Sequence, residues 1–377
     1  MDFYISIFLL IVFLLFIEEQ IPERKRIYCD CLMLFVLGSL TGFRAMGGTD
    51  FYVYLSVYNN TPYLGDYLIN YSHLHEIYPL FNMENGYIGY ISFIKTFLGL
   101  SFYGYLVLQS IIIYTCMYIG LKKFTVHWGI FILIFLYKMF FYETFISMRQ
   151  PITIVLFYLM IPLIYERKAL KYYLLLTFLV LPFHNGVIFL YLVYLISFFD
   201  ITKQRIIILN CIFIPTIIVS ELGIDPIASF GFLTDLISDP IMKDKALSYL
   251  GGEEELNIFH TLEYLLVMLL LVVNYDKIVQ CNKYAPFIIK LFLILLPIMT
   301  LFRSNLFFRR EVDYFVPTYA ILLGYLCDIY KYKRWMIIGG TVCISLYGFV
   351  RYIILFDGGA MLPYRSWLEL YNVTFFE

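Results

Sequence analysis

Long runs of apolar residues, separated by short polar stretches, are the dominant pattern along this chain. Three of the runs are Phe3–Phe16, Tyr264–Val273 and Ile337–Val350. A transmembrane helix needs about 20 predominantly apolar residues, so these runs are better explained as parts of membrane spans than as a soluble core. The pattern predicts an all-α polytopic membrane protein, with residues 1–377 forming a single membrane domain.

Basic residues cluster in six short loops between the apolar runs. The clusters hold 15 of the 27 lysines and arginines: Arg24, Lys25, Arg26, Lys122, Lys123, Arg167, Lys168, Lys171, Lys203, Arg205, Lys277, Lys283, Lys331, Lys333 and Arg334. Short loops rich in lysine and arginine stay on the cytoplasmic side. An even number of crossings between neighbouring clusters then gives about 12 spans, with both termini outside. This topology leaves three outer (periplasmic) segments, at about residues 44–85, 223–257 and 351–377, which we expect to form irregular loops at the outer face.

Two of the predicted hairpins are short for a bilayer. Residues 172–199 provide about 14 residues per arm, or roughly 21 Å of helix against a hydrocarbon core of about 30 Å. The turn of this hairpin falls at 182–186, a cluster of helix breakers that contains His184. The second arm of hairpin 124–165 is similarly short. We therefore expect both Arg149 and His184 to be drawn below the outer membrane surface.

The composition supports a membrane protein and excludes other classes. The chain is 62% hydrophobic and 15% charged, whereas soluble domains carry about 25% charged residues. A net charge of −1 provides no field that attracts nucleic acid. The seven cysteines are scattered, and His73 and His75 form only a weak metal pair without a third ligand at a known spacing. No metal or other cofactor is predicted.

Several arginines break the positive-inside pattern. Arg44, Arg149, Arg309 and Arg310 lie at the outer ends of predicted spans. Arg303 lies in the same outer loop as Arg309 and Arg310, closer to the end of the preceding span. Arginine near the outer face of a membrane is costly to bury unless it is paired. Its planar fork also suits phosphate oxygens. The first four are interpreted as phosphate-binding candidates; the alternative is that they snorkel to lipid headgroups or pair with nearby acids.

Three titratable groups are candidates for acid–base chemistry at the same face. Asp50 follows two glycines that permit a tight turn close to a ligand, and Glu84 directly precedes a predicted span. His184 lies in the turn of the short hairpin. A histidine at membrane depth marks a functional site, and its unperturbed pKa of about 6.5 suits a general base.

Tyrosines are concentrated in the first outer segment. The segment contains Tyr52, Tyr54, Tyr58, Tyr63, Tyr67, Tyr71 and Tyr78. Aromatic rings with polar edges suit stacking against sugar rings. A belt of aromatic side chains lying on the membrane surface explains the same pattern equally well.

Short motifs that carry these residues resemble the EpsG-like branch of the Wzy-type polysaccharide polymerases. The motifs are Phe43-Arg44, Gly48-Thr49-Asp50, Tyr54, Glu84 with Gly86-Tyr87, Met148-Arg149-Gln150, Phe183-His184, Arg309 or Arg310 before Tyr314-Phe315, and Pro363-Tyr364. Their order, and their positions beside predicted spans, are the specific signal. Family members usually carry a small or aliphatic residue after the Arg-Gln pair, whereas this chain has Pro151. That difference concerns the start of the following helix rather than the arginine.

The resemblance implies a GT-C-like glycosyltransferase that polymerises O-antigen or exopolysaccharide in the bacterial inner membrane. Such an enzyme transfers a growing glycan from undecaprenyl pyrophosphate to a sugar hydroxyl of a lipid-linked repeat unit at the periplasmic face. A chain-length regulator protein is a further partner that the resemblance suggests. Arg44, Arg149 and Arg309 or Arg310 would then bind the departing pyrophosphate in place of a metal.

The implied reaction needs a base, and the positions of the three titratable groups in the sequence rank them for this role. His184 ranks first as the base that accepts the proton of the attacking sugar hydroxyl, and Asp50 ranks second. Two alternatives stay open: Asp50 orients Arg44 through an ion pair, and Glu84 hydrogen-bonds sugar hydroxyls.

Two other membrane functions are compatible with the sequence. A flippase or other transporter of lipid-linked oligosaccharides favours charges near the midplane and repeated halves, whereas most irregular charges here lie near the outer ends of predicted spans. A membrane acyltransferase acting on a surface glycan also uses a histidine at the membrane face. Three separated arginine sites fit a pyrophosphate better than a single acyl thioester.

Overall fold

The computed structural model describes residues 1–80, 83–222, 258–303, 305, 308, 311–355, 361–370 and 374–376. Within these residues the chain is helical and forms no β-strand, and two isolated antiparallel bridges join Arg44 to Ser366 and Leu100 to Phe376. The predicted all-α class is confirmed. The chain divides into two compact units, the first made of Met1–Leu195 and Trp335–Glu377 and the second of Ile196–Arg334.

The bounds of the helices follow the apolar runs closely. In chain order they are α1 (Asp2–Gln20), α2 (Glu23–Gly42), α3 (Thr49–Asn60), α4 (Leu64–Ile69), α5 (Leu74–Ile77), α6 (Asn85–Leu98), α7 (Phe102–Leu121), α8 (Trp128–Lys138), α9 (Gln150–Tyr165), α10 (Ala169–Leu175), α11 (Leu190–Val193), α12 (Lys203–Phe213), α13 (Thr216–Glu221), α14 (Ile258–Cys281), α15 (Ala285–Met299), α16 (Val316–Ile329) and α17 (Arg334–Leu355). Single 3₁₀ or π turns extend or link them at Tyr71–His73, Tyr142–Ile146, Leu176–Val180, Asn185–Phe189, Tyr194–Phe198, Val312–Tyr314 and Trp367–Glu369.

Five helical stretches of the described chain are long and apolar enough to cross a membrane. They are Phe102–Leu121, Lys203–Glu221, Ile258–Cys281, Val312–Ile329 and Arg334–Leu355. Five shorter apolar helices of 10–17 residues accompany them. These helices support a polytopic membrane protein, while the count of 12 spans and the GT-C-like architecture stay predictions. The predicted outer segment 223–257 lies outside the described residues.

The first unit is built around α7. In this unit α2 and α9 both pack against α7, and α1 packs against α2 and α8. Pro151 is the second residue of α9, so the residue by which this chain departs from the usual family pattern lies in the first helical turn. Proline is well tolerated there, because the first N–H groups of a helix have no intrahelical acceptor.

Ion pairs join the helix ends that carry two of the predicted cytoplasmic clusters. Lys122 Nζ, just after α7, lies 2.7 Å from Asp30 Oδ2 in α2. His127 Nδ1 lies 2.6 Å from Glu19 Oε1 at the end of α1. The Glu18–Arg26 loop and the Lys122 loop are therefore at the same end of the first unit, as the parity of basic loops predicts.

The first outer segment is more regular than we predicted. Irregular loops were expected at the outer face, but residues 49–60 form α3, and α4, a 3₁₀ turn and α5 follow by Ile77. The reason is the spacing of Phe51, Tyr54 and Tyr58, which places three apolar groups on one face of a helix. All three are buried in the core of the first unit.

The short hairpin at 172–199 consists of brief helical pieces rather than two full spans. Hydrogen bonds between its arms hold it together: Tyr172 Oη donates to Leu190 O at 2.7 Å, and Thr177 Oγ1 lies 2.7 Å from Tyr191 Oη. The turn falls at 181–184 and overlaps the predicted breaker cluster at 182–186, whose last two residues begin a 3₁₀ helix. The depth of this turn in a membrane stays a prediction.

The second unit has its own core. In it α14, α15 and α16 pack against one another, and α12 packs against α14 and α15. Tyr264 Oη donates to Phe292 O at 3.2 Å, and Thr261 Oγ1 donates to Met299 O at 3.1 Å, so the buried hydroxyls of α14 find acceptors on α15. Arg303 forms an ion pair with Glu221 in this unit.

Candidate active site at Glu84

Three residues that the sequence singled out separately meet in the first unit. The Glu84 carboxylate accepts a hydrogen bond through Oε2 from Arg149 Nη1. Its other oxygen, Oε1, lies 3.7 Å from His184 Nδ1, which is within ion-pair range but longer than a hydrogen bond. Glu84 therefore connects the predicted phosphate-binding arginine to the predicted base.

Backbone contacts place Glu84 beside the His184 turn. Glu84 immediately precedes α6, whose first N–H groups need acceptors from outside the helix. Tyr87 N donates to Pro182 O at 3.2 Å, and Asn185 N donates to Glu84 Oε1 at 3.1 Å. The start of α6 is thus fixed to the turn of the short hairpin by two hydrogen bonds, one in each direction.

Gly86 permits the close approach of α6 to this turn. A Cβ atom built on Gly86 would lie 2.7 Å from Pro182 O and 2.9 Å from Pro182 C, so a side chain there must push the two backbones apart. Gly86→Ala is expected to destabilise the fold by about 1–3 kcal/mol and to lower activity on the order of tenfold or more by moving Glu84. Thermal unfolding and the activity of purified variants measure these two effects.

Gly65→Ala is the matched control for that substitution. A Cβ atom on Gly65 would meet no atom within 4 Å, and alanine is the better helix former in α4. If Gly86→Ala behaves like Gly65→Ala in both measurements, the close packing of α6 on the turn is not needed for the site.

Arg149 is held by three elements. It directly precedes α9, its Nη1 reaches Glu84, and its Nε donates to Tyr54 Oη on α3 at 3.3 Å. Two of the five N–H donors of the guanidinium are used in this way. The side chain is 18% exposed, so the remaining donors are available for an oxygen-rich anion.

Arg44 lies in the same unit but is buried. Only 2% of the residue is exposed, and its guanidinium carbon lies 5.1 Å from the centre of the Phe145 ring, four residues before Arg149. Arg44 Nη1 donates to Thr41 O at 2.5 Å, while Nε has no hydrogen-bond partner among the described residues. No described carboxylate forms an ion pair with Arg44. The cation is thus buried without a counter-ion in the part of the chain that the structure describes.

The surroundings of Arg44 keep it charged at neutral pH. Burial lowers the pKa of the guanidinium to about 10, and nearby tyrosines, among them Tyr105 and Tyr87, act in the opposite direction. The hydroxyls of Tyr87 and Tyr105 lie 2.7 Å apart, and the Tyr87 ring contacts that of Tyr54 with the centres 6.1 Å apart. A layer of tyrosines therefore connects the surroundings of Arg44 to the Tyr54 hydroxyl that binds Arg149.

Of the remaining predicted site residues, the structure describes Asp50, which makes no hydrogen bond or ion pair with Glu84, Arg149 or His184. Gly48 has φ of 72°, in the left-handed region that favours glycine, and it produces the predicted tight turn before α3. Asp50 is exposed in the first turn of α3 and forms no ion pair with Arg44. Arg309 and Arg310 lie outside the described residues.

His73 and His75 contact different partners. His73 Nδ1 lies 3.0 Å from Glu76 Oε2, whereas His75 Nε2 lies 2.9 Å from Asn85 Oδ1. Among the described residues there is no group of three or more histidine, cysteine, aspartate or glutamate side chains suited to a metal ion.

Sequence reasoning missed several contributors to the cluster. The tyrosines of the first outer segment were considered as a sugar platform or a membrane belt, yet Tyr54, Tyr58 and Tyr67 are buried and only Tyr52, Tyr63 and Tyr71 are exposed. Tyr54 instead holds Arg149. Its place in the family motif was a usable signal for this role. The backbone N–H of Asn185 left no signal in the sequence.

The comparisons with known proteins agree with the predicted resemblance. A sequence model of the EpsG family, a family of Wzy-like polymerases, matches residues 27–366. The matched region contains every candidate site residue. No curated protein and no solved structure matches the chain. Because the family match covers nearly the whole sequence, this chain belongs to the EpsG family.

Proposed function

We propose that this protein is a polysaccharide polymerase of the bacterial inner membrane. It would transfer a growing O-antigen or exopolysaccharide chain from undecaprenyl pyrophosphate to a sugar hydroxyl of a lipid-linked repeat unit at the periplasmic face. Membership of a Wzy-like polymerase family supports lipid-linked glycans as substrates. A chain-length regulator protein is proposed as an additional partner.

The observation that carries the proposal is the shared carboxylate of Glu84. Through it a phosphate-binding fork, Arg149, and a histidine, His184, are held in one site. A glycosyl transfer with pyrophosphate as leaving group needs a cation at the departing group and an acceptor for the proton of the attacking hydroxyl. Beside Glu84, Arg149 would supply the cation and His184 the proton acceptor.

The proposed reaction is a single displacement at the anomeric carbon. The oxygen of the acceptor hydroxyl bonds to the anomeric carbon of the donor sugar, and the bond between that carbon and the pyrophosphate oxygen breaks. The electron pair of the broken bond leaves with the pyrophosphate. The hydroxyl proton passes to His184 Nε2, because Nδ1 of the same ring faces Glu84.

The arginines would divide the work of stabilising the leaving group. Arg149 contacts the pyrophosphate directly through its remaining N–H donors. Arg44 would add positive charge from the protein interior, where the low dielectric strengthens its effect. Arg309 or Arg310 stays a pyrophosphate ligand predicted from the sequence alone, and Glu84 positions Arg149 and His184 rather than reacting itself.

Deletion of the gene followed by gel analysis of surface polysaccharide tests the proposal. We expect the ladder of long chains to disappear while a single repeat unit stays attached to its carrier or acceptor. Expression of the wild-type protein should restore the ladder. Loss of all surface glycan, including the single repeat, would instead indicate a flippase.

A further inference from the structure

Residues 361–370 and 374–376 of the C-terminal segment lie across the C-terminal end of α2 and the N-terminal end of α7, and they take no part in the proposed reaction. We call these residues the tail strap. Three side chains of the strap donate hydrogen bonds to carbonyl groups at the end of α2: Tyr364 Oη to Leu40 O, Ser366 Oγ to Phe43 O and Trp367 Nε1 to Gly42 O, each at 3.0 Å. In the other direction, Tyr4 Oη of α1 donates to Met361 O of the strap at 3.0 Å.

Backbone hydrogen bonds fix the strap on both sides of Arg44. Trp367 N donates to Phe43 O at 3.0 Å, and Ala45 N donates to Arg365 O at 2.8 Å. These two bonds enclose the antiparallel bridge between Arg44 and Ser366. The residues before and after Arg44 are therefore held by the strap, and the Cα position of Arg44 is fixed between them.

The strap binds the carbonyl end of α2, where Arg44 also makes its hydrogen bond. The last carbonyls of a helix lack intrahelical partners and carry a partial negative charge. The strap donates hydrogen bonds to the carbonyl oxygens of Leu40 and Gly42, and Arg44 Nη1 donates to the carbonyl oxygen of Thr41. With its neighbours occupied, Thr41 O is the carbonyl left for the guanidinium, which explains how Arg44 is buried without a carboxylate.

The strap is itself anchored firmly. The Trp367 side chain is buried against the rings of Phe43 and Tyr103, with ring centres 5.9 and 5.8 Å apart. Burial raises the pKa of Tyr364 to about 12, so its hydroxyl stays a donor at neutral pH. Ser101 N, before α7, donates to Phe375 O at 3.0 Å and holds the far end of the strap.

We propose that the tail strap is a positioning element of the active site: it sets the position of the Arg44 guanidinium relative to the leaving pyrophosphate. This inference rests on the proposed function, because it assumes that Arg44 acts on a pyrophosphate. The strap contacts no reacting atom. Tyr364, Ser366 and Trp367 are its positioning residues.

A double-mutant cycle tests the coupling between the strap and Arg44. The triple variant Tyr364→Phe, Ser366→Ala, Trp367→Phe loses three side-chain hydrogen bonds to α2 and its following residue. It keeps an aromatic ring at positions 364 and 367, although a smaller one at 367, and it keeps the backbone bonds. We expect kcat of purified enzyme with lipid-linked repeat units to fall on the order of 10-fold, with KM changed less than about twofold. In an Arg44→Ala background the same three changes should reduce kcat by less than about twofold, because their effect passes through Arg44. Leu368→Ala, at a strap side chain that is 62% exposed, is the matched control and should leave kcat unchanged.

A cross-link reports on the strap without relying on activity. Ala45 and Arg365 are opposite each other next to the Arg44–Ser366 bridge, and one hydrogen bond joins them, from Ala45 N to Arg365 O. Opposite residues of antiparallel segments have Cα separations of about 4.5–5.5 Å, which suit a disulfide. Oxidation of the Ala45→Cys, Arg365→Cys variant in membranes should link the two positions, as shown by peptide mass mapping. The Ala45→Cys, Leu368→Cys variant, shifted by three residues, should not be linked.

The outcomes separate the two proposals. If wild type makes no polymer, or Arg44→Ala keeps full activity, the proposed function or the role of Arg44 in it is wrong, while the cross-link still shows whether the strap is docked. If Arg44→Ala lowers kcat as expected but the strap changes have no effect in wild type, the positioning role alone is overturned. The same holds if the strap changes reduce the residual activity of Arg44→Ala by the same factor as in wild type. Absence of a disulfide between positions 45 and 365 in the Ala45→Cys, Arg365→Cys variant would overturn the docked strap.

Discussion

Replacement of Arg149 by lysine is expected to reduce the rate of polymerisation on the order of 10²–10³-fold, as removal of a preorganised charge-stabilising donor does. Lysine keeps the positive charge but loses the planar fork. Arg149 uses its Nη1 for Glu84 and its Nε for Tyr54, so its geometry leaves further donors for the pyrophosphate. A single ammonium group cannot satisfy Glu84, Tyr54 and the pyrophosphate with the same geometry.

The measurement is chain growth from purified lipid-linked repeat units, with kcat and KM determined separately. The expected loss is in kcat, because the interaction strengthens as the leaving group gains charge. Arg24→Lys, at an exposed position in the predicted cytoplasmic loop, is the matched control. Full activity of Arg149→Lys in folded protein would contradict the role of Arg149 as a pyrophosphate ligand.

Replacement of His184 by glutamine is expected to reduce kcat on the order of 10²–10⁴-fold, because a positioned base contributes about that factor. A base works in its unprotonated form, so the wild-type rate should fall as the pH drops below the pKa of the base, which for an unperturbed histidine is about 6.5. His184→Gln should remove this acid limb from the pH profile. The profile of kcat between about pH 5 and 9 in reconstituted membranes measures both effects.

Asp50→Asn is the comparison that decides between the two candidate bases. Asp50 is exposed and lies outside the cluster at Glu84, so its amide should change kcat by less than about tenfold. The reverse result, a near-normal rate for His184→Gln and loss of activity for folded Asp50→Asn, would make Asp50 the base. Glu84→Gln should resemble Arg149→Lys more than Asp50→Asn, because it disturbs both partners of the carboxylate.

Local patterns predicted the parts of the site but not their arrangement. Glycine pairs, proline clusters and arginines outside the basic loops each leave a trace in a short stretch of sequence. Asp50 and Glu84 could not be distinguished in this way, since both are carboxylates close to a predicted outer span end. The distinction arises from packing: Glu84 is fixed to the turn of the short hairpin through Asn185 N and Pro182 O, whereas Asp50 faces solvent in the first turn of α3.

The sequence by itself determined that this is a helical membrane protein of the EpsG family, because apolar run length and short ordered motifs are properties of neighbouring residues. Only the tertiary structure decided which of the candidates lie together. Glu84 meets Arg149 and Asn185 across 65 and 101 residues, and Ser366 meets Phe43 across 323. Such contacts depend on how helix ends pack and which backbone groups remain to be satisfied there. A local sequence pattern predicts neither the packing of helix ends nor the backbone groups left to satisfy. The contacts of the Glu84 carboxylate and the tail strap are therefore visible only in the folded chain.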